Sequence, residues 1–481
     1  MTITISRFAV VTLVSLSFLA NICIAGYQPY IIYPAPNVDQ AASKALSNTI
    51  GVISTKSYNY TRWQKTIPEF WVAWLRPADY ILIKNDRRIK EVHLSKVLAK
   101  PAVSVESTSF NISSPVEAPS EVEVDISVGS NPSYTTQSFP KATDLRVLSQ
   151  PPGFPSWSRY QNFVYTTGGA GTYIYHAELG VTPGLDVHKS RIEWLYTPEV
   201  IFSGKAKRGE SMGPGLAFGH STCTASKAAG IACGAAKEAK LVVVKMLDYS
   251  EPSLVSVFEV IADDVKQKGR GGKSVVSVSW TTIAPIPAFS VDPWFTAMRD
   301  ALEELYQNNV IVVCSAGNFA LYPFRGLVDT APAIFVDRVI AVGASYFNGQ
   351  KWEPSQSLGV LPQLYAPGVG ILCADASGRV AYRKETGTSF SSPLVAGVIA
   401  GFLAAGQIPF PLDMHQLMTF LYNRASWRRG GYDGQYVIWN QVDMAHNAPI
   451  ALLGNATVSN LTASFLETNG LGNGQFNVTT D

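Results

Sequence analysis

The stretch ETGTSFSSPLVAGVIAGFLAAG, residues 385–406, places a hydroxyl-rich segment directly before a run of apolar residues. It predicts a helix that opens near Ser389, with Pro393 in the first turn, where a missing N–H costs least. Ser389 would then lie at the positive end of the helix dipole, with its backbone N–H facing a developing oxyanion. An ordinary N-cap serine would explain the hydroxyl but not the surrounding string. Ser389 is therefore a candidate nucleophile.

Near-continuous apolar segments precede this stretch and alternate with amphipathic helices. The predicted strands are AKLVVVKML (239–247), GKSVVSVSW (272–280), NNVIVVCSAGN (308–318) and DRVIAVGAS (337–345), and the predicted helices are VSVFEVIADDVKQKG (255–269) and DPWFTAMRDALEELYQ (292–307). Such apolar runs are typical of parallel strands that are covered on both faces. The pattern predicts an α/β domain with a doubly wound, mostly parallel sheet over about residues 150–447.

Two further residues are candidates for chemistry. His220 leads the helical string FGHSTCTASKAAGIACG, whose small residues suit deep burial. Most lone histidines are structural, so His220 alone would carry no functional prediction. Asn318 ends the buried strand in a Gly-Asn turn, where asparagine is either a turn former or a side-chain donor to an oxyanion.

Together these strings resemble the subtilisin-like serine proteases (peptidase S8), and especially the secreted branch found in fungi. The serine string follows that family's Gly-Thr-Ser-X-Ala/Ser-X-Pro-X-Val-Ala-Gly pattern, with Leu394 where a histidine often follows the proline. The resemblance covers about residues 145–445, with the motifs in the expected order. It implies that Ser389 is the nucleophile, His220 the general base and acid, and Asn318 the oxyanion donor. The resemblance also places Ser277, Ser279 and Trp280 on the strand that lines the substrate groove in that family.

The residue expected to complete a catalytic triad departs from the family pattern. The strand segment TYIYHAELGV, residues 172–181, has Glu178 where the family has aspartate. Glutamate adds one methylene, which displaces the carboxylate by more than an ångström, and such misplacement can cost about a hundredfold in rate. From the sequence alone we expect Glu178→Asp to raise activity. Asp186 is an alternative acid, although it lies beyond the strand end.

Other departures lie close to the same machinery. Ser221 follows His220 where the family keeps glycine, so its Cβ is expected to displace His220. Ser277 stands where the groove strand usually has asparagine. His176 and Glu178 share one face of their strand and are expected to interact.

The chain outside the α/β domain divides into four parts. Residues 1–25 read as a secretory signal peptide, with an arginine before an apolar stretch that ends in Cys23-Ile24-Ala25. Residues 26–96 predict a small α+β domain that resembles an inhibitory propeptide, and residues 97–149 predict a disordered linker. Residues 448–481 predict a loosely ordered tail. Five Asn-X-Ser/Thr sequons suit glycosylation of an exported protein, at Asn59, Asn111, Asn455, Asn460 and Asn477.

Composition limits the partners. The 481 residues include 38 basic and 36 acidic ones. This balance predicts neither a nucleic-acid partner nor a membrane partner after signal removal. No cofactor is predicted; calcium is common in the family that the chain resembles, and calcium binding stays open because no cluster here has a matching ligand spacing. Once Cys23 leaves with the signal, the pairing of Cys223, Cys233, Cys314 and Cys373 stays open, with a buried free thiol expected at Cys314.

Two functions fit these observations. The first is a secreted serine endopeptidase that is made as a zymogen, forms an acyl-enzyme on Ser389, and acts on protein or peptide substrates with its own propeptide as a partner. The second is a catalytically impaired pseudoprotease of the same fold that acts as a secreted binding or decoy module. The departures at Glu178, Ser221 and Ser277 motivate the second function.

Overall fold

A computed structural model gives the architecture of most of the chain. It describes residues 26–60, 66–96, 99–101, 123–124, 133–138, 140–152, 160–184, 186–204, 216–286, 292–357, 364–377, 382–428 and 435–447. The signal-peptide and tail predictions, and the sequons at Asn111, Asn455, Asn460 and Asn477, lie outside these residues.

Residues 26–96 form a small α+β unit. Its four strands make an antiparallel sheet in the order β2-β3-β1-β4, and Leu46 and Ile50 of its first helix pack with Ile32 and Trp71 in a separate apolar cluster. The elements are β1 (Gln28–Pro34), α1 (Gln40–Ile53), β2 (Ser57–Tyr60), β3 (Phe70–Leu75), α2 (Pro77–Lys84) and β4 (Ile89–Leu94).

The rest of the described chain is built around a large sheet. The strands are β5 (Ala99–Pro101), β6 (Glu123–Val124), β7 (Thr135–Ser138), β8 (Asn162–Tyr165), β9 (Tyr173–Glu178), β10 (Ile192–Tyr196), β11 (Lys240–Lys245), β12 (Ser274–Val278), β13 (Trp280–Thr282), β14 (Val310–Ser315), β15 (Val339–Ser345), β16 (Leu364–Pro367), β17 (Ile371–Ala374), β18 (Tyr382–Glu385), β19 (Ser426–Arg428) and β20 (Tyr436–Ile438). The helices are α3 (Asp144–Leu148), α4 (Pro198–Phe202), α5 (Leu216–Ala229), α6 (Glu251–Lys268), α7 (Pro293–Gln307), α8 (Thr388–Ala404) and α9 (Met414–Arg424).

The large sheet is parallel except at one edge. Its order is β10-β11-β9-β12-β14-β15-β16-β20-β19, and only the β19 and β20 pair is antiparallel. This confirms the predicted doubly wound, mostly parallel α/β architecture. All four apolar segments predicted as strands lie in this sheet, and the two predicted helices are α6 and α7.

Both faces of the sheet are covered, and its strands β11, β12, β14 and β15 are buried at nearly every position. Along β11, Leu241 and Val243 belong to one core cluster, while Val242 and Val244 belong to the other, as expected when successive side chains point to opposite faces. Helices α5, α8 and α9 cover the first face, and helices α6 and α7 cover the second. The N-terminal unit joins the second cluster through Ile31, Tyr33, Phe70 and Val72. Among the described helices, none is long and apolar enough to cross a membrane.

Helix α8 packs closely, but its proline does not lie where the sequence predicted. A Cβ at Gly397 would lie 2.7 Å from Ala228 O and 2.8 Å from Ala235 Cβ, so only glycine fits there. The helix begins at Thr388, which puts Pro393 inside the helix instead of in its first turn. The prediction for Pro393 was therefore wrong.

The linker predicted for residues 97–149 is also wrong in part. Within the described residues, β7 pairs with β8, and helix α3 buries Leu145 and Leu148 in the first core cluster. Asp144 Oδ2 lies 2.6 Å from Lys227 Nζ, with both side chains fully buried. The packed domain therefore begins before residue 150. Its entry was missed because a short strand and a five-residue helix carry too little periodicity to be recognised.

Candidate active site

The candidate site lies where the strand order of the sheet reverses. Strand β9 stands beside β12; β10 and β11 continue the sheet on one side, and β14 to β16 continue it on the other. In doubly wound sheets, the carboxyl ends of strands at such a switch point open a crevice that commonly holds the site. Glu178 ends β9, and Ser279 follows the end of β12, so both belong to this crevice.

Glu178 and His220 meet in a buried contact. Glu178 Oε1 lies 3.1 Å from His220 Nδ1, and the two side chains are 0% and 2% exposed. The two atoms are close enough for an ion pair, but within the described part of the chain neither ring nitrogen of His220 makes a hydrogen bond. A carboxylate at Nδ1 places the ring proton on that nitrogen and leaves Nε2 to act as a base.

The other carboxylate oxygen of Glu178 is held by three donors. Ser221 Oγ donates at 3.0 Å, Tyr249 Oη at 2.7 Å and the backbone N–H of Leu179 at 3.1 Å, all to Oε2. Burial opposes ionisation of the Glu178 carboxyl. The proximity of His220 and the hydrogen bond from Tyr249 outweigh burial and hold the pKa of Glu178 below its usual value. Glu178 is therefore an ionised, oriented acid.

Helix α5 holds His220 through contacts on several sides. A Cβ at Gly219 would lie 2.2 Å from Arg383 Nη1, so glycine lets this arginine of β18 cross the helix beside His220. The His220 ring packs on Phe390, with ring centroids 5.4 Å apart, which brings it to the start of α8. A disulfide joins Cys223, one turn after His220, to Cys373 of β17.

Ser389 is fixed to the end of β12 by a reciprocal pair of hydrogen bonds. Its Oγ donates to Ser279 O at 2.7 Å, and Ser279 Oγ donates to Ser389 O at 2.8 Å. The second bond exists because Pro393, four residues later, has no N–H to offer the Ser389 carbonyl. The position of Pro393 inside the helix thus ties the candidate nucleophile to the groove.

Asn318 lies beside the same helix start. Its Oδ1 accepts hydrogen bonds from Thr388 N at 3.1 Å and from Thr388 Oγ1 at 2.8 Å. These bonds identify Oδ1 as the acceptor and leave the Nδ2 group as the donor. The backbone N–H of Ser389 belongs to the first turn of α8, where amides lack intrahelical partners. Both donors suit an oxyanion.

The groove next to Ser279 holds a segment of the chain itself. Strand β5 pairs antiparallel with β13, with Ala99 opposite Thr282 and Pro101 opposite Trp280. On its other side, the N–H of Ala99 donates to Tyr249 O at 3.3 Å. An extended segment between two chain edges is the geometry of strand addition to a sheet.

The three residues predicted to line the groove have different roles in the structure. Ser279 contacts Ser389, as described. Trp280 pairs with β5 through its backbone, but its side chain is fully buried and its Nε1–H donates to Ala177 O at 3.0 Å. Ser277 is fully buried inside β12, away from the groove edge.

Two candidates from the sequence remain: His176 is connected to the site, and Asp186 is not. His176 Nε2 lies 3.0 Å from Ser221 O, and burial lowers the pKa of His176 to about 4, so the ring is a neutral donor. The Asp186 carboxylate instead accepts from Ser226 Oγ and from the backbone N–H groups of Ala232 and Cys233. These partners separate Asp186 from the role of triad acid.

Cysteines and possible modification sites complete the description. Of the four cysteines whose pairing the sequence left open, Cys223 and Cys373 form a disulfide, and Cys233 and Cys314 are buried free thiols. Asn59, the one sequon asparagine among the described residues, is exposed on β2. No group of three or more potential metal ligands occurs within the described residues.

The sequence of the second half of the chain places it among known proteins. The model of the Subtilase family matches residues 210–458, just over half of the chain. The chain belongs to the subtilase family. The match within this subtilase includes His220, Asn318 and Ser389 and begins after Glu178.

Fungal proteins are among the relatives of this subtilase. Subtilisin-like protease 3 of Pseudogymnoascus destructans is 31% identical over 246 residues, which cover 50% of this chain and 54% of that protein. Subtilisin-like serine protease Pen ch 13 of Penicillium rubens is 28% identical over 288 residues, which cover 59% of this chain and 64% of that protein. The chain thus spans about half of the first relative and under two thirds of the second.

A solved structure supports the fold over a larger part of the subtilase. Epidermin Leader Peptide Processing Serine Protease (EpiP) from Staphylococcus aureus superposes with a TM-score of 0.58 at 15% identity, covering 90% of this chain and 99% of that chain. Together with the parallel sheet, this likeness confirms the subtilisin-like α/β fold.

Proposed function

We propose that the protein is a secreted serine endopeptidase that is made as a zymogen. The observation that carries this proposal is the buried contact between Glu178 and His220 Nδ1, on a helix that packs against the start of the Ser389 helix. Membership of a family of serine peptidases supports the same reaction. Substrates are then proteins or peptides that bind as an added strand along β13.

The chemistry follows from the roles of three side chains. Ser389 Oγ attacks the carbonyl carbon of the scissile bond, and its proton passes to His220 Nε2. Asn318 Nδ2 and the Ser389 N–H stabilise the oxyanion. His220 then protonates the leaving amine, and water hydrolyses the acyl-enzyme. The negative charge of Glu178 stabilises the imidazolium that forms in each half of the reaction.

The N-terminal unit supports synthesis as a zymogen. Its sheet packs on the second core cluster, and β5 occupies the groove edge that a substrate strand would use. Access of a substrate therefore requires that β5 leave. The predicted signal peptide, the disulfide and the exposed sequon Asn59 support secretion and glycosylation.

One experiment tests the activity. The full chain is expressed in a secreting host, and two signals are followed: self-cleavage between the N-terminal unit and the α/β domain, and covalent labelling by a fluorophosphonate. We expect both signals in the parent and neither in Ser389→Ala. A folded parent that neither matures nor becomes labelled contradicts the proposal.

A second candidate is a pseudoprotease that binds polypeptide without cleaving it. It is favoured by the orientation of Ser389 Oγ, which donates to Ser279 O, while His220 Nε2 has no described partner. Catalytic hydrogen bonds often form only in the substrate complex, so the labelling experiment separates the two candidates.

A further inference from the structure

We propose that Ser221 and Tyr249 are positioning residues that allow a glutamate to serve as the acid of this site. The inference rests on the proposed peptidase function. It assigns two residues the role of orienting Glu178. It also explains the departures at positions 178 and 221 as one coupled change, in which serine at 221 compensates for glutamate at 178.

The geometry of the Glu178 carboxylate carries the inference. Oε1 lies at His220, and Oε2 receives Ser221 Oγ, Tyr249 Oη and the Leu179 N–H. A longer side chain has one more rotatable bond, so it requires additional contacts to hold one orientation. Three donors on one oxygen fix the rotation of the carboxylate and direct the other oxygen at the imidazole.

Ser221 supplies a contact that glycine cannot supply. The Cβ that was expected to displace His220 instead carries a hydroxyl to the carboxylate of Glu178 on β9. The backbone carbonyl of Ser221 accepts from His176 Nε2, on the same strand as Glu178. The residues at positions 176, 178 and 221 thus form one hydrogen-bonded network between β9 and α5.

Tyr249 links the acid to the groove. Its hydroxyl donates to Glu178 at 2.7 Å, and its backbone carbonyl accepts from Ala99 of the bound segment at 3.3 Å. Burial and the neighbouring Glu178 charge raise the pKa of Tyr249 well above its ordinary value, so it stays protonated and remains a donor.

Removing one donor tests the inference by activity. Hydrogen bonds to charged groups are strong enough that Ser221→Ala and Tyr249→Phe should each lower kcat/KM about tenfold to a hundredfold, mainly through kcat. The matched controls remove a hydroxyl donor from other buried carboxylates. Ser256→Ala removes the donor to Glu199, and Tyr175→Phe removes the donor to Asp264. The controls should stay close to the parent. Ser221→Ala activity equal to that of its control overturns the proposal.

A double substitution tests whether the two changes are coupled. The geometry reverses the expectation from sequence: Glu178→Asp alone should lower activity, because a shorter side chain withdraws from Ser221 and Tyr249. Ser221→Gly alone should lower it too. The activity of the Glu178→Asp, Ser221→Gly double variant, relative to the parent, should be higher than the product of the relative activities of the two single variants. Such an excess is the signature of a direct interaction. Simple additivity of the two effects contradicts the coupling.

A spectroscopic readout separates this inference from the proposed function. In proton NMR, an imidazole Nδ1–H held by a carboxylate gives a strongly downfield resonance. Measured on Ser389→Ala protein, the signal should persist in Ser256→Ala and weaken or disappear in Ser221→Ala. This result supports the inference even if the parent hydrolyses nothing, in which case only the peptidase proposal fails. An unchanged signal in Ser221→Ala overturns the inference whether or not the parent is active.

Discussion

Glu178 is the residue whose charge the proposed chemistry depends on most. It is fully buried, and its contacts hold the pKa of its carboxyl below the ordinary value, so the site carries a negative charge beside His220 at neutral pH. Because that charge would stabilise the imidazolium of the proposed reaction, a neutral isostere should retain the shape of the site and lose its electrostatics.

We expect Glu178→Gln to lower kcat by about ten-thousand-fold, the scale seen when a triad acid is neutralised elsewhere. The measurement is peptide hydrolysis under saturating substrate, with folding checked by circular dichroism. Glu199→Gln is the matched control. Glu199 is also buried, but burial raises the pKa of its carboxyl, so an uncharged side chain suits its surroundings. Equal activities of the two variants would contradict a charged role for Glu178.

The sequence identified three candidates for a catalytic triad by position but not the contacts around Glu178. Motif order places Ser389, His220 and Glu178 at known points of a known fold. The contribution of Ser221 depends on a distance of 3.0 Å between a helix and a strand that are far apart in sequence, and no local pattern contains that distance. For the same reason, Tyr249 was missed altogether. An aromatic residue just after a strand end was the only available signal.

Among the elements, helix α8 packs closely against its neighbours at Gly397. We expect Gly397→Ala to destabilise the protein by about 1–3 kcal/mol, because the new Cβ would overlap Ala228 O and Ala235 Cβ. Gly401→Ala on the same helix is the control. Its Cβ would meet only Thr167 Oγ1, at 4.0 Å, and it should be neutral or stabilising by up to about 1 kcal/mol. Urea unfolding measures both, and equal effects would refute the packing explanation.

The strands and long helices were predictable, because long apolar runs and amphipathic periods are strong signals. The elements that escaped prediction are short or depend on distant partners. Helix α3 has five residues, and its burial depends on the contact between Asp144 and Lys227. Pro393 was placed one turn too early because only the structure shows that Ser279 Oγ replaces the missing N–H.

At the scale of the whole molecule, a titratable contact joins the N-terminal unit to the α/β domain. His93 of β4 pairs through Nε2 with Glu251 at the start of α6, and its Nδ1 lies 3.3 Å from Glu91. The Tyr33 ring packs beside it, with ring centroids 5.6 Å apart. Burial would lower the pKa of His93, but the two carboxylates outweigh burial and raise it.

We therefore expect the N-terminal unit to be held more weakly as pH rises. A histidine whose pKa is raised in the packed state contributes its full stabilisation below the unperturbed value, about 6.5, and loses it as pH rises through the raised value. Hydrogen exchange of β4 amides in Ser389→Ala protein, corrected for the intrinsic rate, should be faster at mildly alkaline than at mildly acidic pH. His93→Gln should remove this dependence, whereas His446→Gln, which alters an exposed pair with Asp443, should retain it. A pH dependence that survives His93→Gln would contradict this role.

The disulfide between α5 and β17 also depends on the cellular compartment in which the protein folds. Cys223 lies one turn from the base, and Cys373 precedes the strand that leads to the Ser389 helix. Such a bond persists where thiols are oxidised and is reduced where glutathione and thioredoxin act. In a reducing cytosol, the same sequence would lack this covalent link between the helix of its base and the strands before its nucleophile. Two conditions therefore bear on the site: departure of β5 opens the groove, and a low reductant concentration preserves the disulfide.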